Sequence, residues 1–500
     1  EKVKHVFYLL CFSIISFTSF SADYYWVGGA GNWSDINHWA TTSGGTTLHP
    51  VVPSQNDNVI FNSNSGFLSG VPANRTVVLD VTANCHDMTW VGAPNSPVLQ
   101  GSSTNSLNVY GSMTLQNDMS YDVYATNFLS SSLGETITTN GTTISNHSSG
   151  YFNFNGDGGW TLMDAYTSIG YINFLRGDLN TNNQPVNIRY FNSTSGLNRI
   201  LTLGSSSISC SSNSSTAWYY YGANSTLNSG TSHIFLTGGT PTSSPVFYGN
   251  NGHVYHHISF TNSISTGAFY ANNPYTGTVT VEKLTFIGNG YFGGNNVMDT
   301  LILSAGKRYT FEANRTQTIN GLFEATTPSC SGLIELRSGT STTQTTINFS
   351  SGVTVNLNNS LIENINATGS VPVAALNSFD LGGNAGFVFP PASGITLYWV
   401  GGSGDWNDAN HWSTVNDGVY PPVGGGCVPT PLDNVIFNNN SGFLSGVPVN
   451  RTVVLDGSGH YCHDMTWVGA PNSPILQGSS TNPLNVYGSM TLQNDMSYDV

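Results

Sequence analysis

Charge is what this sequence has least of. Lys and Arg together number 12 and Asp and Glu 27 among 500 residues, so charged side chains make up only 8% of the chain. So few cations cannot form a basic stripe for a phosphate backbone. The formal net charge of −15 comes from scarce bases rather than from acidic runs, which separates the chain from disordered acidic tails. Helix signals are equally thin: Gly, Asn, Ser or Thr interrupts almost every window, and no segment holds apolar residues at helical spacing over three turns. Beyond the first residues no stretch is long and apolar enough for a membrane span. What remains, 38% hydrophobic, 12% aromatic and rich in Gly, is enough to build cores in an all-β, turn-rich chain.

The N-terminus has the pattern of an export signal over residues 1–21. Lys2 and Lys4 precede the apolar stretch from Val6 to Phe17, and Ser19-Phe20-Ser21 supplies small residues for cleavage, so the mature chain starts near Ala22. Cys11 follows Leu10, where a lipoprotein signal would want a small residue, so no lipid anchor is expected. The expected location is exported, at the cell surface or outside the cell. Five cysteines then remain, Cys85, Cys210, Cys330, Cys427 and Cys462, an odd number that leaves at least one thiol free or paired beyond this chain. Cys427 lies in a loop whose counterpart, 40–56, holds no cysteine, so a disulfide is not part of the basic plan. A Cys427–Cys462 bridge and a small buried apolar role for Cys85 and Cys462 both stay open.

The chain then starts over. Tyr25-Trp26-Val27-Gly28-Gly29, Trp33 and Asn37-His38-Trp39 return as Tyr398-Trp399-Val400-Gly401-Gly402, Trp406 and Asn410-His411-Trp412, an offset of 373 from Trp26 to Trp399. Cys85-His86-Asp87-Met88-Thr89-Trp90 returns as Cys462-His463-Asp464-Met465-Thr466-Trp467, now at an offset of 377, and the match runs to Val500 against Val123. The expected organisation is a first long unit over 22–386, with a Trp-rich opening at 24–61 and a β-solenoid at 62–386. A linker at 387–397 follows, and then the start of a second unit at 398–500 that ends partway through. Repeats of this length point to an extended array.

A shorter period runs inside the unit. Phe247-Tyr248-Gly249-Asn250-Asn251, Phe269-Tyr270-Ala271-Asn272-Asn273 and Phe292-Gly293-Gly294-Asn295-Asn296 follow one another at steps of 22 and 23, each ahead of an alternating run such as His257-Ile258-Ser259-Phe260 or Lys283-Leu284-Thr285-Phe286. This spacing is that of one coil of a parallel β-helix. A single coil buries perhaps four side chains at roughly 1.5–3 kcal/mol each, against about 1–2 kcal/mol per residue to fix its backbone, so coils are stable only in stacks. Phe247, Phe269 and Phe292 should share one interior line, Phe260 and Phe286 another, and paired Asn residues should ladder at the turns. Trp26, Trp33 and Trp39, with their copies, are expected to be a cap over the apolar end of the stack. The other reading makes them an exposed platform for sugar rings.

From Tyr25 to Trp39, through Asp57-Asn58-Val59-Ile60-Phe61, Cys85 with Met88-Thr89-Trp90, and Gly159-Trp160-Thr161-Leu162, to the closing run Asn377 to Gly386, the order of motifs resembles the very long repetitive surface proteins of Bacteroidota. That resemblance implies an adhesin-like protein carried by type IX secretion, with a C-terminal sorting domain beyond this segment.

Catalysis needs clustered groups. His253, His256 and His257 are the densest ionisable set, without a carboxylate before Glu282. His38/His411 and His86/His463 recur in contexts suited to structural histidines. Asn155-Gly156-Asp157-Gly158-Gly159 looks like a calcium turn but lacks the repeated motif that would establish one, so calcium stays open. Arg176-Gly177-Asp178 and the Asn-x-Ser/Thr triplets at Asn74 and Asn314 are treated as chance strings. No catalytic, cofactor-binding or metal-binding residue is assigned, no cofactor is expected, and the chain is expected not to be an enzyme. It is expected to be an attachment stalk, with extracellular polysaccharide or cell-surface glycans as partners and no nucleic acid. The alternative is a carbohydrate-active or carbohydrate-binding parallel β-helix protein, a polysaccharide lyase or hydrolase among them.

Overall fold

Short strands whose side chains alternate between core and solvent, separated by Gly and Asn turns, fold into parallel sheets. The computed structural model describes residues 21–500 except 145, 146, 148, 215, 272–276, 328–331, 392, 393, 456 and 458. The expected export signal at 1–21, apart from its last residue, together with Cys330 and the Asn272-Asn273 pair, therefore lies outside the described residues. Helix among the described residues is limited to four single 3-10 turns. Contacts divide the chain into two compact parts, one ending at Ala165 and one starting at Tyr166.

In the first part the chain visits three sheets in turn. Asn58–Asn62, Thr76–Leu79 and Ala83–Cys85 open one round, and Met88–Val91, Val98–Gly101 and Leu107–Val109 make the next, each pairing parallel with its predecessor. Inward residues then line up in columns: Val59, Met88, Met113, Ile137 and Leu162 face one another in succession. Phe61 stacks on Trp90 at 3.7 Å and 2°. Because side chains alternate with a period of two, a one-residue slip would expose every member of such a column, so burial fixes the register. On the outer face, Asn84, Asn108, Asn127 and Asn153 form an amide ladder with rungs of 3.0, 2.8 and 3.0 Å. Turn asparagines act differently. Asn95 (φ 65°) and Asn140 (φ 49°) take the left-handed conformation and donate to the carbonyls of Phe67 and Leu115 in the preceding round.

The second part opens the same way, then changes. Tyr166–Thr167, Tyr171–Phe174 and Gly177–Asn180 begin a three-sheet cycle that runs to Ser225–Asn228. Past it, the chain alternates between two sheets, and one of them has strands of up to ten residues. In Thr278–Phe286 the inward series Val279, Val281 is followed by exposed Glu282 and Lys283 before Leu284 and Phe286 turn inward again. The same break falls at Asp299 in Asn295–Leu303 and at Asn320 in Thr316–Ala325. Each long strand thus shifts parity at a corner and covers two faces.

The expected columns are present. Phe247 faces Phe269, which faces Phe292, and Phe260 stacks on Phe286 at 4.5 Å and 4°. The period is less regular than the local 22 and 23 steps imply: Phe292 faces Phe311 at a separation of 19, whereas Arg308 faces Glu335 at 27. The turns absorb this difference outside the paired strands.

All 10 tryptophans are fully buried, including Trp26, Trp33, Trp39 and their copies Trp399, Trp406 and Trp412. An exposed indole platform is therefore not formed. Trp26 lies edge-on to Trp39 at 4.9 Å, and Trp33 to Trp39 at 4.8 Å, with the Trp39 indole donating to the Trp33 carbonyl. Strand Trp39–Ala40 pairs antiparallel with Asp23–Trp26, and Trp412–Ser413 repeats this against Thr396–Trp399.

The Cys427–Cys462 bridge is not formed. Cys462 is a free buried thiol opposite Val486, as Cys85 is opposite Val109, because each points inward from its strand. Cys427 is disulfide-bonded elsewhere. Burial pushes the Cys462 thiol up to about 12, so it stays protonated.

Replacing Trp33 or Trp406 by Ala empties a fully packed indole site. Each replacement should lower unfolding free energy by roughly 3–5 kcal/mol in chemical denaturation of the chain from residue 22 onward. Replacement of the exposed Ile36 should change it by less than about 0.5 kcal/mol.

Candidate functional site

Two places collect exposed side chains that the core does not need. The first is a groove on the outer face of the second sheet. Val77 and Leu79 are buried, so Thr76 and Val78 must face outward, where they join Val98, Gln100 and Asp122. The groove measures about 720 Å³. Val78 and Val98 form an apolar rail, Gln100 donates to Asp122 at 3.3 Å, and His147 Nε2 lies 3.1 Å from the same carboxylate. The second copy rebuilds it from Asp405, Thr452, Val454 and Gln477, at about 420 Å³. Val449 stands there in place of Ala73. Beside the groove the same apolar side chains are exposed in both copies: Leu68 and Leu444 at 65% and 64%, Val71 and Val447 at 62% and 58%. No sequence motif marked this place. Its signal was the retention of outward Thr, Gln and Asp in both copies.

The second place is a histidine corner. In the sequence, His256 and His257 have no carboxylate in their own coil. The fold brings Glu282 from the next strand to 3.6 Å from His256, and places His233, which no sequence motif marks, in register with His257. The His233 and His257 rings stack at 3.5 Å, and the Ser259 hydroxyl lies 2.8 Å from one Nε2 and 3.2 Å from the other. Burial first, then Lys283 and the neighbouring imidazoles, pushes both histidines down to about 4. His253 is separate: it is buried against Tyr220 and Ser225, and burial again lowers it to about 4. No group of three metal-binding side chains occurs among the described residues.

The remaining candidates have structural places. His38 lies flat on Trp26 at 4.5 Å and 4°, with Nδ1 2.6 Å from the Val27 carbonyl, and His411 repeats this on Trp399. His86 and His463 sit beside their neighbouring aspartates at 3.1 and 3.3 Å. In the Asn155–Gly159 stretch, a Cβ on Gly156 or Gly158 would come within 2.2 Å of the Ser130 or Ser132 carbonyl, so glycine there permits close stacking of turns. The Arg176-Gly177-Asp178 string runs into strand Gly177–Asn180, where Gly177 faces Arg199, rather than standing on a loop tip.

No protein-family model matches the chain, and no curated protein and no solved structure matches it either. No helix among the described residues is long and apolar enough to cross a membrane.

The histidine corner generates a pH dependence. His233 and His257 have folded values near 4 against an ordinary 6.5, so the unfolded chain takes up protons first. Stability should be level above about pH 6.5 and fall as pH drops toward about 4. Denaturation midpoints measured across that window should show this slope. His233→Gln combined with His257→Gln should flatten it, leaving the part due to His253.

Proposed function

We propose that the chain is an exported, non-enzymatic, adhesin-like repeat protein whose units form a β-solenoid stalk. Three sheets visited in turn, each gaining one parallel strand per round, are the pattern that a solenoid produces, and this supports the reading. Trp26, Trp33 and Trp39 act as a cap. They are packed where Asp23–Trp26 and Gly31–Asn32 end their sheets, and the antiparallel Trp39–Ala40 strand covers the edge that would otherwise stay open. Export by a type IX route and display on a cell surface follow from the motif order shared with long Bacteroidota surface proteins.

The observation that carries an attachment role is the recurrence of the groove. Two copies on one chain favour multivalent contact, in which weak sites add up to strong attachment. The lining of hydroxyl, amide and carboxylate groups beside two valines suits a neutral polysaccharide, and the proposed partners are extracellular or cell-surface glycans.

The test uses the mature chain in co-sedimentation with extracellular polysaccharide preparations. Retention should occur, and Gln100→Ala with Gln477→Ala together should weaken it by about tenfold or more while the melting temperature stays unchanged. Release of new reducing ends or unsaturated products from the polysaccharide would overturn this reading in favour of a lyase or hydrolase.

A further inference from the structure

The two copies differ in length at only two places. The loop 41–56 becomes three residues longer as 414–432, and the stretch between Asp80 and Cys85 becomes one residue longer between Asp456 and Cys462. Both longer stretches meet the end of the first copy, and all these contacts lie in the part from Tyr166 onward.

At the shorter insertion, Gly457 and Gly459 take φ of 72° and 89°, and Tyr461 stands where the first copy has Asn84. Arg337 Nη2 reaches the Tyr461 hydroxyl at 3.5 Å. The guanidinium is itself fixed by Glu335 at 3.0 Å and by Glu363, and Arg308 holds Glu335 at 2.7 Å. Beside Tyr461, Tyr487 packs edge-on against Phe379 at 4.4 Å. In the first copy Asn84 has another use, as the first rung of the amide ladder with Asn108. Its counterpart rung is absent in the second copy, where Asn485 donates to the His460 carbonyl instead. At the longer insertion, Cys427 and Val428 face Thr327 and Leu333 of the first copy across a cavity of about 440 Å³, and Cys427 is disulfide-bonded.

We propose that the two insertions form a latch that seats the second unit on the end of the first, keyed by Tyr461 on Arg337. The partner this surface fits is the preceding unit of the same chain. A head with Asn84 at the key position lacks the reach to engage such an arginine, so the residue at this position determines whether a head can latch. Successive units are then coupled rigidly rather than strung on a free linker. This inference does not depend on the attachment role.

Limited proteolysis of the mature chain, read at the stretch between Phe387 and Thr396, tests it, alongside hydrogen exchange at the amides of Tyr487 and Ile395. The unaltered chain should resist cutting there. Tyr461→Asn and, separately, Arg337→Ala should each speed cutting by about tenfold or more, the factor implied by losing a hydrogen bond to a charged group when cleavage tracks the open state. Tyr461→Phe, which keeps the ring, should give a smaller increase. Asn84→Ala, a change at the same position in the first head, should leave the junction unaffected. Rapid cutting of the unaltered chain, or cutting of both variants at its rate, would overturn the latch. Circular dichroism on each variant identifies any that fails to fold, and the remaining variant then decides.

Discussion

Parallel, in-register pairing of each strand with the strand one round away is the interaction on which everything else rests. Strands of three to five residues such as Leu107–Val109 or Asn58–Asn62 have too few contacts to persist alone. Pairing on both sides satisfies their backbone groups and covers the apolar layer above and below, so each round supplies what its neighbours lack. Once the register is fixed, the turns are free to vary. That freedom lets one round take 19 residues and another 27, and it let the second copy gain four residues without disturbing the Phe437–Trp467 stack, which matches Phe61–Trp90 at 3.7 Å.

The same separation of strand from turn decides what could be read from the sequence. Phe247, Phe269 and Phe292 were legible because three successive rounds happen to have nearly equal length, so the alternating runs repeat visibly. The Asn84, Asn108, Asn127 and Asn153 ladder was not, since its rungs lie 24, 19 and 26 residues apart. Asn ladders were expected at the turns, and this one runs instead along a strand face. His233 escaped notice for a related reason. Nothing in the chain between it and His257 reveals that they share a register. The groove was hidden differently, because Thr76, Gln100 and Asp122 are ordinary outward residues and only folding puts them side by side.

Direction, as well as distance, was beyond reach. Cys427 and Cys462 are near enough in sequence to suggest a bridge, but Cys462 belongs to a strand whose inward positions are fixed by pairing with Leu484–Val486. The tryptophans were legible as a recurring element and ambiguous as to exposure. Their burial follows from Gly-Gly turns that let Trp26 fold back until its indole donates to the Gly29 carbonyl at 2.6 Å, a contact that Trp399 and Gly402 repeat.

In-register stacking also explains the scarcity of charge with which the sequence begins. A parallel column sets each outward side chain beside its counterpart in the next round, and equivalent positions tend to hold the same residue type. Like charges so placed repel. Asn carries a donor and an acceptor on one amide, so identical residues bond to each other, and aromatic rings stack on their own kind, as Tyr171 does on Tyr190 at 4.2 Å. Among the described residues, neighbouring rounds set opposite charges together in Arg308 with Glu335 and Arg337 with Glu363. His233 on His257 is the informative exception. Two ionisable rings are stacked face to face, and burial first, then the neighbouring Lys283 and imidazoles, pushes both down to about 4. Asn and Ser do the work of an ion-pair network in a fold that leaves little place for one.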